Sequence, residues 1–145
     1  MKHYIIHTDG GSRGNPGNAA VGVVIDEQYP DGTTFRVESH GERIGVATNN
    51  VAEYSAVSIA LKHLIALSSP IETQERLYEF YLDSLLVVQQ LNGVYKVKDL
   101  TLRTFVMIIR GLEKELGGTI CYTAVRREKN TDADREVNAA LDARV

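Results

Sequence analysis

The chain is poor in residues that staple or stiffen a protein: its 145 positions include one cysteine, no tryptophan and three prolines. Cys121 alone cannot close an internal disulfide, which fits a reducing compartment. No apolar run approaches the roughly 20 residues of a membrane span, and the opening MKHYIIHTDG has too short an aliphatic stretch for a signal-peptide core. A cytoplasmic protein without a membrane partner is expected. An excess of charge of one sign is missing too. Sixteen Lys and Arg against 19 Asp and Glu give a net charge of −3, so no global field draws the chain to nucleic acid. Attraction to phosphate would have to come from local patches, Lys96, Lys98 and Arg103 or Arg126, Arg127 and Lys129. Each reads at least as simply as a solvated face.

What is present describes one globular domain across residues 1–145. The apolar fraction is 43%, with no repeat or low-complexity tract, and a chain of this length buries roughly 68–70% of its unfolded surface without staples. HYIIHTD reads as a strand with His3, Ile5, His7 and Asp9 on one face. AAVGVVIDEQY and TTFRVESHGERIG read as two more, joined through the turn residues Pro30 to Gly32, and the three form an antiparallel meander. From Asn49, residues Val51, Tyr54, Val57, Leu61, Leu64 and Ile65 recur at helical spacing, with Thr48 or Asn49 to cap the start and Ser68-Ser69-Pro70 to end it. RLYEFYLD alternates as a fourth strand. SLLVVQQLNG is a short helix, LTLRTFVMIIRGLEKELGG a longer one stopped by Gly117-Gly118, TICYTAVR a fifth strand and TDADREVNAALDAR a final helix ending at Arg144. The order βββαβααβα is an α/β layout: a five-stranded mixed sheet, three strands antiparallel and the later ones parallel, with helices on both faces.

The stretch TDGGSRGNPG, Thr8 to Gly17, tempts a phosphate-loop reading, but its glycines at 10, 11, 14 and 17 fit neither GxxxxGK[ST] nor GxGxxG. It is expected as a loop joining two strands, at its plainest an Asp-Gly turn. Ligands in open α/β sheets gather beyond strand ends. Acids stand at those junctions: Asp9 ends or interrupts the first strand, Glu53 lies in the first turns of the first helix, Asp83 closes the fourth strand, and Asp134 opens the last helix. Singly, each has a plainer role: a turn residue, a dipole complement, an N-cap, and the far partner of a Thr131-x-x-Asp134 box. Jointly, four carboxylates at neighbouring element ends would repel one another, and a hard divalent cation relieves that conflict. Oxygen ligands select Mg²⁺, or Mn²⁺ in its place, and two such ions roughly 3.5–4 Å apart can clamp an in-line phosphoryl displacement.

The ordered series TDGGSRGNPG, TNNVAEYSAV, DSLLVVQQLNGVYKVKD and REKNTDADREVNAALD resembles ribonuclease H type I, in the compact form without a basic protrusion, over nearly the whole chain. The resemblance implies the ribonuclease-H-like fold, and a metal-dependent endonuclease that cleaves the RNA strand of an RNA–DNA hybrid to leave 5′-phosphate and 3′-hydroxyl ends. Asp9, Glu53, Asp83 and Asp134 would be the catalytic, metal-binding acids, with two Mg²⁺ ions in the substrate complex and Mn²⁺ as a substitute. Gly10 and Gly11 would let backbone approach the RNA strand. Asn49 and Asn50 would read 2′-hydroxyls or bases, a fit to a group that both donates and accepts. Thr48 and Asn15 match a DNA-strand phosphate pocket. The ADR spacing favours Asp134 over Asp132, which would point about 200° away around the helix. A monomer is expected, and compact relatives make double-stranded RNA a further partner to test.

Two departures stand out. The chain passes from LNGVYKVKD straight into the next helix without a basic protrusion, so weaker hybrid affinity and steep salt dependence are expected. The segment before the last acid, TAVRREKNTD, has no histidine where some members carry a mobile one; Arg126 or Arg127 could assist there, or be surface charge. His40 and His63 show no metal-ligand spacing, and His7 shares a strand face with Asp9 but reads as packed or solvated. The rivals are a silent hybrid-binding module, which would gain nothing from acids beside phosphates, and a nuclease of the wider superfamily acting on DNA.

Overall fold

In the computed structural model, which describes residues 1–69 and 74–143, the three-strand meander is β1 (Lys2–Gly14), β2 (Gly17–Gln28) and β3 (Thr34–Ala47). Helix α1 (Asn49–Leu67) leads to β4 (Arg76–Leu82), α2 (Leu85–Leu91), α3 (Leu100–Leu116), β5 (Thr119–Ala124) and α4 (Thr131–Asp142), with a single 3-10 turn at Arg127–Lys129. The sheet order is β3-β2-β1-β4-β5. β1, β2 and β3 pair antiparallel, while β4 lies parallel to both β1 and β5, as the alternation of connections requires. Pro70 and Arg144, expected to end the first helix and the last, lie outside the described residues. No helix among the described residues is long and apolar enough to cross a membrane.

One expectation is corrected. The glycine-rich stretch is not a loop from Asp9 onward: β1 continues through it, paired with β2 residue for residue from Asp9↔Gly22 to Gly14↔Gly17, and only Asn15-Pro16 turn. The physical reason is that ladder bonds need backbone alone, while missing side chains let helices settle onto the strand. A Cβ on Gly10 would run into the backbone of Ala52 and Glu53, and one on Gly22 into that of Ala133. Since Asp9 and Gly22 are cross-strand partners, they share the α4 face, and Gly10 faces α1.

Tyr54, Val57, Leu61 and Leu64 of α1 pack on Ile6, Val23, Ile25 and Phe80 of the sheet, and α3 adds Ile109 and Leu116. α1 is buried nearly all round because the sheet lies on one side and α3 on the other. The core includes Tyr54 and Tyr122, as befits aromatic residues with one polar end. Helix starts are fixed by side chains: Thr48 Oγ1 accepts from Val51 N at 3.2 Å, Ser84 Oγ from Val87 N at 3.3 Å, and Asp99 Oδ1 from Leu102 N at 2.9 Å. α3 ends where Gly117 and Gly118 adopt φ of +72° and +74°. Arg43 of β3 holds the far end of α4, donating to the carbonyls of Ala140 at 2.8 Å and Leu141 at 2.9 Å.

Candidate active site

β4 pairs with β1 only as far as His7↔Tyr81, and its last residue is Leu82. Beyond that level the edge of β1 is open. Continuing the register by two residues sets Asp83 beside Asp9, and the open edge leaves the Gly10 N–H free to donate to Glu53 Oε1 at 3.1 Å. Since Ser84 caps α2 and no side-chain bond caps α4 at Asn130, neither Asp83 nor Asp134 is consumed as a cap. Asp9, Glu53 and Asp83 each offer an oxygen within 4.8 Å of the others. Asp134 stands at the rim of the same cleft, about 450 Å³ in volume, whose floor is Gly10 and Gly11.

These acids are held out of water. Asp9 is 6% exposed and Glu53 7%. Burial first, then the charge of Asp83, pushes the Asp9 carboxyl up to about 7, and Asp134 adds to the rise. Burial and Asp9 push Glu53 well above the usual carboxylate range. Asp83 is raised by burial against the opposing pull of Arg127, whose Nε lies 3.7 Å from Asp83 Oδ2. The second carboxylate oxygen of Glu53 is buried with no partner among the described residues. Proton-sharing carboxylates and an orphan oxygen together make a donor set for a hard cation. The chemistry of the residues fits the metal that the resemblance implies.

Asp132 is excluded from the cleft: it pairs with Arg36 at 3.0 Å and Arg135 at 3.2 Å and faces a separate hollow. His7 opens onto that hollow as well and stacks on Tyr81, ring centres 5.3 Å apart, while burial lowers its pKa. A second pocket of about 350 Å³ adjoins the cleft, lined by Asn15, Thr48, Asn49, Asn50, Asp99 and Thr101. Asn49 and Asn50 belong to both. Asn15 Oδ1 accepts from Asn49 N at 3.1 Å and Asn49 Oδ1 from Ser12 N at 3.0 Å, so these two, like Thr48, hold the entry to α1 with part of their capacity. The side chain of Asn50 has no hydrogen-bond partner among the described residues.

Two residues of the site carry little signal in the sequence. Arg127 reads there as one of two arginines ending a strand, whereas it reaches Asp83 from the 3-10 turn. Asn130, 1% exposed, donates from Nδ2 to the carbonyl of Thr8 at 2.9 Å, tying the start of α4 to the residue before Asp9. A lone polar residue in KNTD has no periodic pattern that could reveal it.

Asp9, Glu53 and Asp83 converge beside Gly10 and Gly11, with Asp134 at the rim and a polar pocket alongside, and form an open acidic cleft whose oxygens could hold a hard cation. The chain belongs to the RNase H family, whose model matches residues 1–142. It is 40% identical over 139 residues to the bifunctional protein Rv2228c of Mycobacterium tuberculosis, covering 96% of this chain and 35% of that protein. It is 39% identical over 136 residues to ribonuclease HI of Halobacterium salinarum, covering 92% of this chain and 62% of that one. The chain thus spans about a third of the length of its mycobacterial relatives. Among solved structures, LC11-RNase H1 in complex with an RNA/DNA hybrid superposes with a TM-score of 0.85 at 41% identity, with 96% of each chain covered. RNase H1 of the halophilic archaeon superposes at 0.83 with 37% identity, over 97% of this chain and 98% of that one. The expected fold is thereby established.

Proposed function

We propose that this chain is an endoribonuclease that hydrolyses the RNA strand of RNA–DNA hybrids with two Mg²⁺ ions, leaving 5′-phosphate and 3′-hydroxyl ends. The observation that carries the reading is the convergence of Asp9, Glu53 and Asp83 within 4.8 Å. Asp9, Glu53, Asp83 and Asp134 would hold the ions; Mn²⁺, with the same preference for oxygen, would substitute. Divalent cations in such a site neutralise the carboxylates and stabilise charge developing on the phosphodiester.

The remaining work falls to the chain itself. Gly10 and Gly11 let α1 and α4 close onto β1, so the strand's backbone lies at the foot of the cleft where a scissile phosphate could come down to the acids. The Asn50 side chain, free of intramolecular bonds among the described residues, and the amide of Asn49 would meet the 2′-hydroxyls that separate RNA from DNA. Thr48, which caps α1, and Asn15, whose side chain reaches the start of α1 from the β1–β2 turn, would take a phosphate of the DNA strand, where helix N–H groups favour an anion. Arg127, 3.7 Å from Asp83 and 86% exposed, is free to swing toward a product phosphate. One chain supplies all four acids, which suits a monomer, and a single unpaired cysteine suits the cytoplasm.

The test is cleavage of end-labelled RNA–DNA hybrid beside duplex RNA, duplex DNA and single-stranded RNA, each with Mg²⁺, Mn²⁺ or chelator. The expected outcome is metal-dependent cutting of the hybrid's RNA strand, with Asp83→Asn at least about 10³-fold slower, a loss on the scale of removing a transition-state contact. An active Asp83→Asn protein would remove the metal assignment. Hybrid binding without cutting would convert the reading to a silent module.

A further inference from the structure

We propose that His40 and His63 form a second, separate metal site: a two-imidazole clip for an ion of the Zn²⁺ class that joins edge strand β3 to α1. Glu38, His40 and Glu42 alternate along β3 and so share one face. Their partners on β2 are Ile25, Val23 and Val21, and Val23 and Ile25 lie in the core under α1, so this face looks toward that helix. His63 of α1 meets the row. Its Nδ1 lies 2.6 Å from Glu38 Oε1, while His40 Nε2 lies 2.9 Å from Glu42 Oε1. The ring centres are 4.6 Å apart, tilted at 46°.

Each imidazole therefore has one nitrogen anchored on a carboxylate. Nδ1 of His40 and Nε2 of His63 have no partner among the described residues. A carboxylate on one ring nitrogen holds the N–H on that side and leaves the lone pair on the other, the arrangement that outer carboxylates give metal-bound histidines. Neighbouring rings so prepared present two acceptors with no protein donor. A tetrahedral ion with metal–nitrogen bonds of about 2.0–2.1 Å holds two ring centres roughly 5 Å apart, close to the spacing found. The side chains are 24% and 30% exposed, leaving room for water to complete the shell. Nitrogen donors select Zn²⁺, Cu²⁺ or Ni²⁺ over Mg²⁺, so the site is chemically distinct from the acidic cleft. The two histidines are 23 positions apart on different elements and meet only in the folded chain, so the ion would stabilise that state by mass action. It would pin the edge strand to the helix that carries Glu53.

The experiment is a calorimetric titration of the intact protein with Zn²⁺ in excess Mg²⁺, alongside NMR of the four histidine rings. The expected result is one Zn²⁺ per chain at micromolar affinity. The His40 and His63 ring signals move together and those of His3 and His7 stay. His40→Gln and His63→Gln each weaken binding more than tenfold, and Glu38→Gln weakens it about tenfold. Asp83→Asn leaves it intact. Binding that survives His63→Gln, or that vanishes in Asp83→Asn, overturns the proposal. So does zinc that leaves the His40 and His63 signals of the unsubstituted protein in place, a readout that holds even if a variant fails to fold.

Discussion

On one face of the sheet, Ile6, Val23, Ile25 and Phe80 meet the large side chains of α1, and away from the single close backbone approach at Gly10 contact is made through apolar volume. On the other, α4 rests on Gly11, Gly22 and Gly41, and the tightest contacts are made through backbone: a Cβ on Gly22 would sit 2.1 Å from the Ala133 carbonyl oxygen, and one on Gly41 2.6 Å from that of Glu136. The first face supplies stability, because burying a large apolar side chain contributes roughly 1.5–3 kcal/mol. The second supplies position. Asp9 looks out on the α4 side and Glu53 arrives from the α1 side, and the two carboxylates share the cleft only because both helices lie close to β1.

The sharpest way to break this contrast is to substitute one residue on each face. Leu61→Ala empties fully buried volume on the α1 face and should cost about 2–5 kcal/mol, with turnover retained below the lowered melting transition. Gly22→Ala adds one methyl against the Ala133 carbonyl. It should cost about 1–3 kcal/mol as α4 is pushed away. Its larger effect should be on kcat, since Asp134 moves with the helix. Denaturant melts paired with hybrid cleavage rates decide: an inactive but stable Leu61→Ala protein, or a fully active Gly22→Ala protein, would erase the division.

Next in size is the electrostatic cost of crowding acids where the faces meet. Asp9 holds its proton up to about pH 7 in the folded chain, against 3.8 for an ordinary aspartate. Between those values the folded state binds more protons than the unfolded one, so metal-free stability is greatest below the lower value and falls as pH rises through the upper one. The loss amounts to as much as about 4 kcal/mol, some 1.36 kcal/mol for each pH unit that separates the two values. In chelator, denaturant midpoints should therefore drop from about pH 5 to pH 8, and Mg²⁺ should restore them at the upper end. Asp9→Asn should flatten the profile and be more stable than the parent at the upper end while losing activity. A profile that rises with pH would contradict the crowding.

A smaller effect separates reading from cutting. The side chain of Asn50 contributes no intramolecular bond among the described residues, so Asn50→Ala should leave the melt unchanged. Discrimination between hybrid and all-DNA duplex should narrow five- to tenfold, about the 1 kcal/mol of one or two lost hydrogen bonds. Competition binding measures it, and unchanged selectivity would reassign the residue.

The order of elements along the chain and the helix starts are legible in the sequence because periodicity and caps are local: Thr48, the Asp83-Ser84 pair and Gly117-Gly118 all mark real ends. The four acids are legible as junction residues, although each alone reads as a cap or turn residue. What stays hidden depends on contacts across the fold. TDGGSRGNPG reads as a loop because composition records its glycines but not the two helices packed on them. His40 and His63 lack metal spacing along the chain, yet β3 and α1 set their rings 4.6 Å apart. Asn130 and Arg127 act through partners far away in the chain, Thr8 and Asp83, and no short window of sequence contains both members of either pair.

The smallest prediction reverses the sign of the glycine argument. Gly111 lies in the interior of α3, and a Cβ there would meet nothing within 4 Å. The methyl that damages the α4 contact at position 22 should therefore help at position 111, where its effect is only to limit the freedom of the unfolded backbone and favour the helix. Gly111→Ala should raise stability by about 0.8–1 kcal/mol, enough to move the melting temperature by a few degrees, with kcat and KM unchanged. If Gly111→Ala instead lowers the melting temperature, α3 is under packing constraint on its outer side. The split between an apolar face that tolerates change and a backbone face that does not would then have to be redrawn to include the third helix.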